Sequence, residues 1–481
     1  MFIGREKELA DLNALYATDQ FQMPVIYGRR RVGKSTLVHK FIEDKKAVVF
    51  TAIESTIDRN LELFSKSIYK TFLPTMNHMP PFRSFDAAFD FLTEYVKKER
   101  CVVVIDEYPY LAASDKSISF RLQSYIDGEW KDSKMYLILC GSSMSFMENQ
   151  VLGYQSPLYG RRTVQIKLLP FDYRTSACFV PDYSDEDKAL VYGVTGGIPK
   201  YLELFRPELS VYENISQLFF NSSGYLYEEP GNLLKQELRD VSTYNAIIEV
   251  MASGAVKVNE IATKIHSDTA TVSYCLKSLI AIGIVEKHSA VTDENNKKKT
   301  SYVICDNMFR FWYRFVPNGI DLILMQYGDT YFKETVLPQI PDYMGSIFEE
   351  MCRYYLQQMS VKGDIGFTIT KIGRWWGTNP KLKQEEEIDI VGVNPVAKYV
   401  LLGECKYQNQ GIHLDAAKKL LERGLLITAY QNKSYVLCSK TIFTEEVRRF
   451  AQENKIMLVT LEDLYQVTGG NVDNTSTPNN K

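Results

Sequence analysis

Residues Gly28-Arg29-Arg30-Arg31-Val32-Gly33-Lys34-Ser35-Thr36 match the pattern G-x-x-x-x-G-K-[ST]. Glycines at those two places let backbone N–H groups turn inward around phosphate oxygens, and a helix that follows offers its N-terminus to the same charge. Lys34 is then placed to reach β- and γ-phosphates, and Ser35 to give its hydroxyl oxygen to magnesium. A second signal is Cys101-Val102-Val103-Val104-Ile105-Asp106-Glu107, an apolar run ending in two acids. Asp106 is expected to hold magnesium through water, and Glu107 to polarise the attacking water as the base that hydrolysis needs. Ser142, in Cys140-Gly141-Ser142-Ser143, ends the next apolar run, where its hydroxyl can touch the γ-phosphate or that water. A third signal lies far downstream, in Ile388-Asp389-Ile390 and Gly403-Glu404-Cys405-Lys406. Asp389, Glu404 and the carbonyl of Cys405 make an oxygen-rich magnesium site, and Lys406 can position water or stabilise charge on a phosphodiester.

These residues need elements to hold them. The runs 24–27, 47–50, 101–105, 136–140 and 164–168 are continuously apolar and are separated by helical stretches. Such runs predict a parallel sheet covered on both faces, with Asp106 at the carboxyl edge where ligands sit. Leu37, Val38, Phe41 and Ile42 predict an amphipathic helix after the phosphate loop. Residues 172–235 read as helical and acidic. Helical patterns follow at 244–251, 258–265 and 269–282, with Ile247, Ile248, Ile261, Ile265, Val272, Leu276 and Leu279 as their shared core. A strand pair at 283–287 and 300–304, around a lysine-bearing turn at 295–299, makes this a winged helix whose third helix offers small polar groups to base edges. In the C-terminal part, 341–468, a helix is followed by two strands, then helix and strand again. The two strands, 388–393 and 399–406, meet at a turn at Asn394-Pro395. Alternation puts Glu404 and Lys406 on one face and Cys405 on the other, and the neighbouring strand brings Asp389 beside them. Glu385, Glu386 and Glu387 read as a solvated run at a strand entrance.

The 481 residues are 45% hydrophobic and 24% charged, which suits about three globular domains and excludes a mostly disordered or fibrous chain. No stretch approaches the ~18 apolar residues of a spanning helix, so no membrane partner is expected. The start MFIGREKEL carries charges where a signal peptide needs an apolar run, which points to a cytoplasmic location. The 8 cysteines include no C-x-x-C pair and the 5 histidines are isolated, so reduced thiols are expected rather than disulfides or zinc. A net charge of −3 argues against a surface that grips nucleic acid throughout. Residues 241–300 carry 7 Lys and Arg against 6 Asp and Glu, and residues 341–468 carry 16 of each. DNA as a partner therefore rests on motif chemistry, and the winged helix has an alternative use in binding a protein.

In order, Phe2-Ile3-Gly4-Arg5-Glu6, the phosphate loop, Asp106-Glu107, Gly141-Ser142-Ser143 and Gly196-Gly197-Ile198-Pro199 resemble the STAND branch of AAA-type P-loop ATPases. Within it they resemble the archaeal ATPase group also found in bacteria. The resemblance covers residues 1 to about 235 and implies ATP and Mg2+ as cofactors. It places Gly4 and Arg5 near the adenine, and Pro199 on a turn that approaches the nucleotide from a helical lid. Arg161 or Arg162, in Tyr159-Gly160-Arg161-Arg162-Thr163, is the candidate for neutralising transition-state charge; the other reading is a surface pair flanking the fifth strand. Arg29, Arg30 and Arg31 are expected to be solvated or close to phosphate.

Asp389 with Glu404-Cys405-Lys406 resembles the D…E-x-K core of PD-(D/E)xK nucleases, and Gly345-Ser346-Ile347-Phe348-Glu349 the helix before it, with Glu349 as an additional acid. Together with Phe309-Arg310-Phe311-Trp312-Tyr313 and Gly373-Arg374-Trp375-Trp376, residues 305–468 resemble the uncharacterised C-terminal domain often fused to archaeal-type ATPases. The expected fold is α/β: a parallel-sheet, AAA-like P-loop NTPase with a helical lid, a winged helix-turn-helix and a C-terminal α/β restriction-endonuclease-like domain. The expected bounds are 1–171 for the ATPase core, 172–238 for the lid, 239–320 for the winged helix, 321–468 for the nuclease-like domain and 469–481 for a disordered tail. Magnesium-dependent ATP hydrolysis coupled to action on DNA is the implied function. The competing reading is a nucleotide-gated switch that binds DNA, a protein partner or a second copy without cutting.

Overall fold

The computed structural model describes residues 2–75, 79–238, 240–291, 300–380 and 382–466. Both the lysine-bearing turn and the tail expected to be disordered lie outside the described residues.

Five strands, β1 (Pro24–Tyr27), β2 (Ala47–Thr51), β3 (Cys101–Asp106), β4 (Met135–Gly141) and β5 (Val164–Lys167), form one parallel sheet in the order β2-β3-β4-β1-β5. In β3 the alternate residues Val102 and Val104 join one apolar cluster, while Cys101, Val103 and Ile105 join another on the opposite face. This two-sided burial is why the strands read as unbroken apolar runs. The register pairs Tyr27 with Gly141 and Ile105 with Leu139, so the phosphate loop, Asp106 and Ser142 all leave the carboxyl edge of adjacent strands.

Five helices, the longest Asp185–Thr195 and Val211–Phe219, lead from the sheet to Glu229–Glu237. Three more follow, Val241–Ala252, Val258–Lys264 and Thr269–Ala281, and then an antiparallel pair, β6 (Val285–Ser289) and β7 (Thr300–Ile304). Their core holds Ile247, Ile248, Ile261, Val272, Leu276 and Leu279 as the periodicity predicts, whereas Ile265 is only partly buried.

The second sheet contains β8 (Lys371–Asn379), β9 (Gln384–Asn394), β10 (Tyr399–Lys406), β11 (Asn432–Ser439) and β12 (Ile456–Thr460), in the order β12-β11-β10-β9-β8. The sequence pattern predicts three of these strands, leaving out β8 and one of the two strands after β10. It missed β8 because that edge strand buries only Trp375 and carries a register shift between Gly373 and Trp375. The helix Ile340–Lys362 packs against this sheet.

One apolar cluster runs from Leu12 on the helix Glu6–Tyr16 through the first sheet and the helical segments to Leu464 near the C-terminal end of the described chain. Polar contacts stitch the same seam: the Tyr343 hydroxyl donates to the Gly193 carbonyl at 2.7 Å, and the Tyr173 hydroxyl to the Leu464 carbonyl at 2.9 Å. At its centre is Asp306, N-cap of the helix Asn307–Phe315. One carboxylate oxygen accepts from the Phe309 amide at 2.9 Å, and the other binds the buried guanidinium of Arg29 from the phosphate loop.

Asp306→Ala would strand that guanidinium and uncap the helix together. The expected loss is on the order of 3–5 kcal/mol, with Asp306→Asn losing less because the amide oxygen still caps. Thermal melts of the full chain check this, and wild-type midpoints for both variants would refute it.

Candidate functional site

The phosphate loop is built by two residues with left-handed backbone. Arg31 has φ +71° and Gly33 φ +89°, and Gly33 is the N-cap of the helix Lys34–Ile42. A non-glycine residue held in this region signals local strain of the kind found at binding loops. Lys34 is buried; its ammonium folds back to donate to the carbonyls of Gly28 and Arg29 at 2.9 and 3.0 Å. Burial lowers its pKa, while the nearby charges of Glu107 and Asp106 work the other way.

Ser35 Oγ stands 3.5 Å from Asp106 Oδ2, a spacing two oxygens can have when they share one cation or one of its waters. Burial raises the Asp106 pKa, and Glu107 beside it adds to the effect, so this carboxyl gains from a nearby cation. Glu107, with φ +50°, is held by Ser142: its Oε2 accepts from the Ser142 amide at 3.1 Å and hydroxyl at 2.8 Å. A cavity of about 380 Å³ lies over the loop, lined by Gly33, Lys34, Ser35, Thr36, Glu107 and Pro199. The residues present therefore fit a nucleotide phosphate chain and a divalent cation. A larger hollow of about 1050 Å³ beside the helix Ile57–Phe72 is remote from these groups.

The three arginines of the loop are all paired: Arg29 is buried, while Arg30 and Arg31 are partly exposed and line the cavity over the loop. Arg29 is bound by Asp306, Arg30 by Glu237 at 3.3 Å and by the Tyr110 hydroxyl at 2.8 Å, and Arg31 by the buried Glu229. Two nitrogens of Arg29, Nε and Nη2, are buried without a hydrogen-bond partner among the described residues, leaving donor capacity beside the loop. Val32 is buried, and its carbonyl accepts from Arg5 at 3.1 Å. Arg5 also donates to the Leu169 carbonyl at 2.6 Å and lies over the Phe171 ring, so it ties the loop to the exit of β5. At Gly4, with φ +71°, a Cβ would stand 2.3 Å from Thr175 Cγ2.

The expectation for Arg161 and Arg162 needs correction. Both precede β5, at the amino edge of the sheet, whereas the phosphate loop leaves the carboxyl edge. Arg161 is bound by Asp127 at 2.8 and 2.5 Å and by the carbonyls of Pro157 and Tyr159. Neither lines the cavity over the phosphate loop, and the partners of Arg161 are those of a surface pair flanking the fifth strand.

In the second sheet, antiparallel pairing of Gly403 with Ile390 puts Glu404 opposite Asp389, and the Cys405 amide donates to Asp389 Oδ2 at 2.9 Å. Glu404 accepts from Lys406 at 2.7 Å and from Arg423 at 3.0 Å. Glu349, on the helix Ile340–Lys362, is bound by Arg374 and by Arg353 at 3.3 Å; Arg353 also donates to the Asp389 carbonyl at 3.0 Å. Burial, then repulsion from Asp389, raises the Glu404 pKa. Of the acids expected to be solvated, Glu386 is instead bound by Arg423 at 2.9 Å.

A sequence profile of an ATPase domain found predominantly in Archaea matches residues 2–205, and one of archaeal and bacterial proteins of unknown function matches residues 312–420. An uncharacterized protein of Methanocaldococcus jannaschii is 30% identical over 452 residues, covering 93% of this chain and 97% of that protein. This chain belongs to the archaeal-type P-loop ATPase family. An uncharacterized ATP-binding protein of the same organism is 44% identical to the ATPase over 46 residues, 10% of this chain and 78% of that one. The Walker-type ATPase of Pyrococcus abyssi aligns with a TM-score of 0.49 at 20% identity, covering 65% of this chain and 96% of that one. As a member of its family the ATPase binds nucleotide and hydrolyses ATP. No helix among its described residues is long and apolar enough to cross a membrane.

Several residues at these sites carried no sequence signal. Glu229, Glu237 and Asp306 meet arginines roughly 200 or more positions away, and Arg353 and Arg423 stand in ordinary helices. Arg374 alone sat inside a quoted motif.

Burial pushes the Glu349 carboxyl of the ATPase from 4.5 up to about 7, with Arg374 opposing and Asp389 reinforcing. Between those values the folded chain holds a proton that the unfolded chain has released, so stability falls as pH rises through the window. Melts of wild type and Glu349→Gln at several pH values from 5 to 8 are expected to show that slope only in wild type. Identical profiles would count against the assignment.

Proposed function

We propose that the ATPase uses magnesium-ATP to set the position of its C-terminal half, and that the carboxylate cluster there acts on DNA. The observation carrying this reading is the grip on the phosphate loop: Arg29, Arg30 and Arg31 are held by Asp306, Glu237 and Glu229, all outside the first sheet. A phosphate chain entering the loop competes with those carboxylates for the same guanidinium groups, so nucleotide binding shifts a two-state equilibrium that the distal modules share.

In this reading residues 1–171 are the ATPase core, 172–238 the lid, 239–320 a winged helix and 321–468 a nuclease-like part. The loop amides and Lys34 hold the phosphates, and Pro199 walls the cavity. Ser35 and Asp106 would hold Mg2+, which when bound offsets charge on the phosphates. Glu107, fixed by Ser142 through one oxygen, keeps the other to accept the proton of an attacking water. Downstream, Asp389, Glu404 and the Cys405 carbonyl would hold a second divalent cation, and Lys406 stands beside them to meet phosphodiester charge. The helix Thr269–Ala281 offers Thr271, Tyr274 and Lys277 on its exposed face, a surface suited to the edge of a nucleic acid. A cytoplasmic location accompanies this reading.

One observation favours a non-cutting switch as a second reading. Arg374 and Arg353 hold Glu349, and Lys406 and Arg423 hold Glu404, so cations of the chain already offset the acids that a metal would use.

Lys34→Ala is expected to lose ATP binding, and Glu107→Gln to keep binding while turnover falls about 10²–10⁴-fold. Phosphate release and fluorescent-nucleotide titration, with and without Mg2+, check both; wild-type turnover in either variant would move the activity elsewhere. With plasmid DNA and Mg2+ or Mn2+, nicking is expected and should vanish in Asp389→Ala and in Lys406→Ala. Nucleotide-dependent DNA retention without nicking would select the switch.

A further inference from the structure

Three cysteines far apart in sequence converge in the C-terminal sheet. Cys352 comes from the helix Ile340–Lys362, Cys405 from β10 and Cys438 from β11, and their sulfur atoms all lie within 4.8 Å of one another. Cys405 and Cys438 are direct partners in the parallel register, so both side chains leave the same face of the sheet. That face is opposite the one bearing Glu404 and Lys406, and Cys352 meets it from the helix above. All three are buried, and all are free thiols.

Burial alone would explain three small apolar side chains; their convergence on one point asks for more. A thiolate sulfur sits ~2.3 Å from a bound zinc ion, so three sulfurs around one ion in a plane stand about 4.0 Å apart. Drawing the present sulfurs in to that spacing moves each by at most about half an ångström, within reach of small side-chain rotations. The donor set is all sulfur, which selects thiophilic cations over magnesium or calcium. Three thiolates leave a negative charge in a dry core, smaller with zinc(II) than with copper(I); burial holds the Cys352 thiol well above its usual range, and the Arg353 guanidinium opposes that only in part.

We propose that Cys352, Cys405 and Cys438 form a buried site for one thiophilic d¹⁰ cation, zinc(II) or copper(I). Each S–H replaced by a sulfur–metal bond releases its proton to solvent, and no electron is transferred. The ion would pin the helix Ile340–Lys362 to β10 and β11. Because the Cys405 amide holds Asp389, it would also fix the strand on which the carboxylate cluster is built. The site stands whether or not that cluster cuts DNA.

The test uses the full chain, stripped of metal and reduced under anaerobic conditions. Titration with zinc, with cobalt as its optical reporter, and separately with copper(I) against a chromophoric competitor, is expected to give one equivalent for one of the two ions. Cobalt is expected to show the near-ultraviolet band of thiolate coordination. Cys352→Ala and Cys438→Ala should each weaken binding at least about ten-fold while ATP turnover at the phosphate loop is kept, which shows that the variants fold. Three outcomes overturn the proposal: no retained equivalent of either ion, unchanged binding in both variants, or retained metal without a thiolate band. A disulfide found by mass spectrometry in metal-free protein would likewise overturn it.

Discussion

A buried ion pair between Arg29 and Asp306 joins the phosphate loop to the second half of the chain, 277 positions away. Neither charge has access to bulk water, so each depends on the other, and the helix that begins after Asp306 depends on the same carboxylate for its first turn. Arg30 and Arg31 repeat the arrangement with Glu237 and Glu229, at the two ends of the helix Glu229–Glu237. The loop that receives phosphate is therefore fastened to the helix Glu229–Glu237 and to the start of the helix Asn307–Phe315. A nucleotide does not meet a finished pocket; it meets three cations already engaged.

The carboxylate cluster follows the same rule with the signs exchanged. Asp389 and Glu404 face each other across β9 and β10, Glu349 is added from the packed helix, and the chain balances them with Arg353, Arg374, Lys406 and Arg423. Repulsion among the acids is offset by the guanidinium groups and the Lys406 ammonium that pair with them. Both sites are thus pre-charged with internal counterions, and the energetic question at each is an exchange of partners.

Much of this was legible in the sequence. The five parallel strands could be read because burial on both faces leaves unbroken apolar runs, and the three helices after residue 240 because one face repeats at helical spacing. The antiparallel placement of Asp389 beside Glu404 followed from alternation and one turn at Asn394-Pro395. What escaped was set by distance or by exposure. β8 has too little buried surface to write an apolar pattern, and Ile265, on period with the core, ends its helix half-exposed. The acids that hold the loop arginines, and the meeting of Cys352, Cys405 and Cys438, depend on contacts between segments dozens to hundreds of residues apart. Arg161 and Arg162 come before the fifth strand in the sequence, and in a parallel sheet that order alone puts them at the amino edge, away from the phosphate loop.

The continuity of the apolar core has a consequence for how the chain is made. At ~5–20 residues per second of synthesis, the ribosome exposes Arg29 for roughly a quarter of a minute to a minute before Asp306 is translated. During that interval the apolar cluster that begins beside the first sheet lacks every member beyond residue 306. Until Asp306 arrives, Arg29 lacks the carboxylate that it meets in the finished chain, and the apolar faces that join the two halves have no native partner.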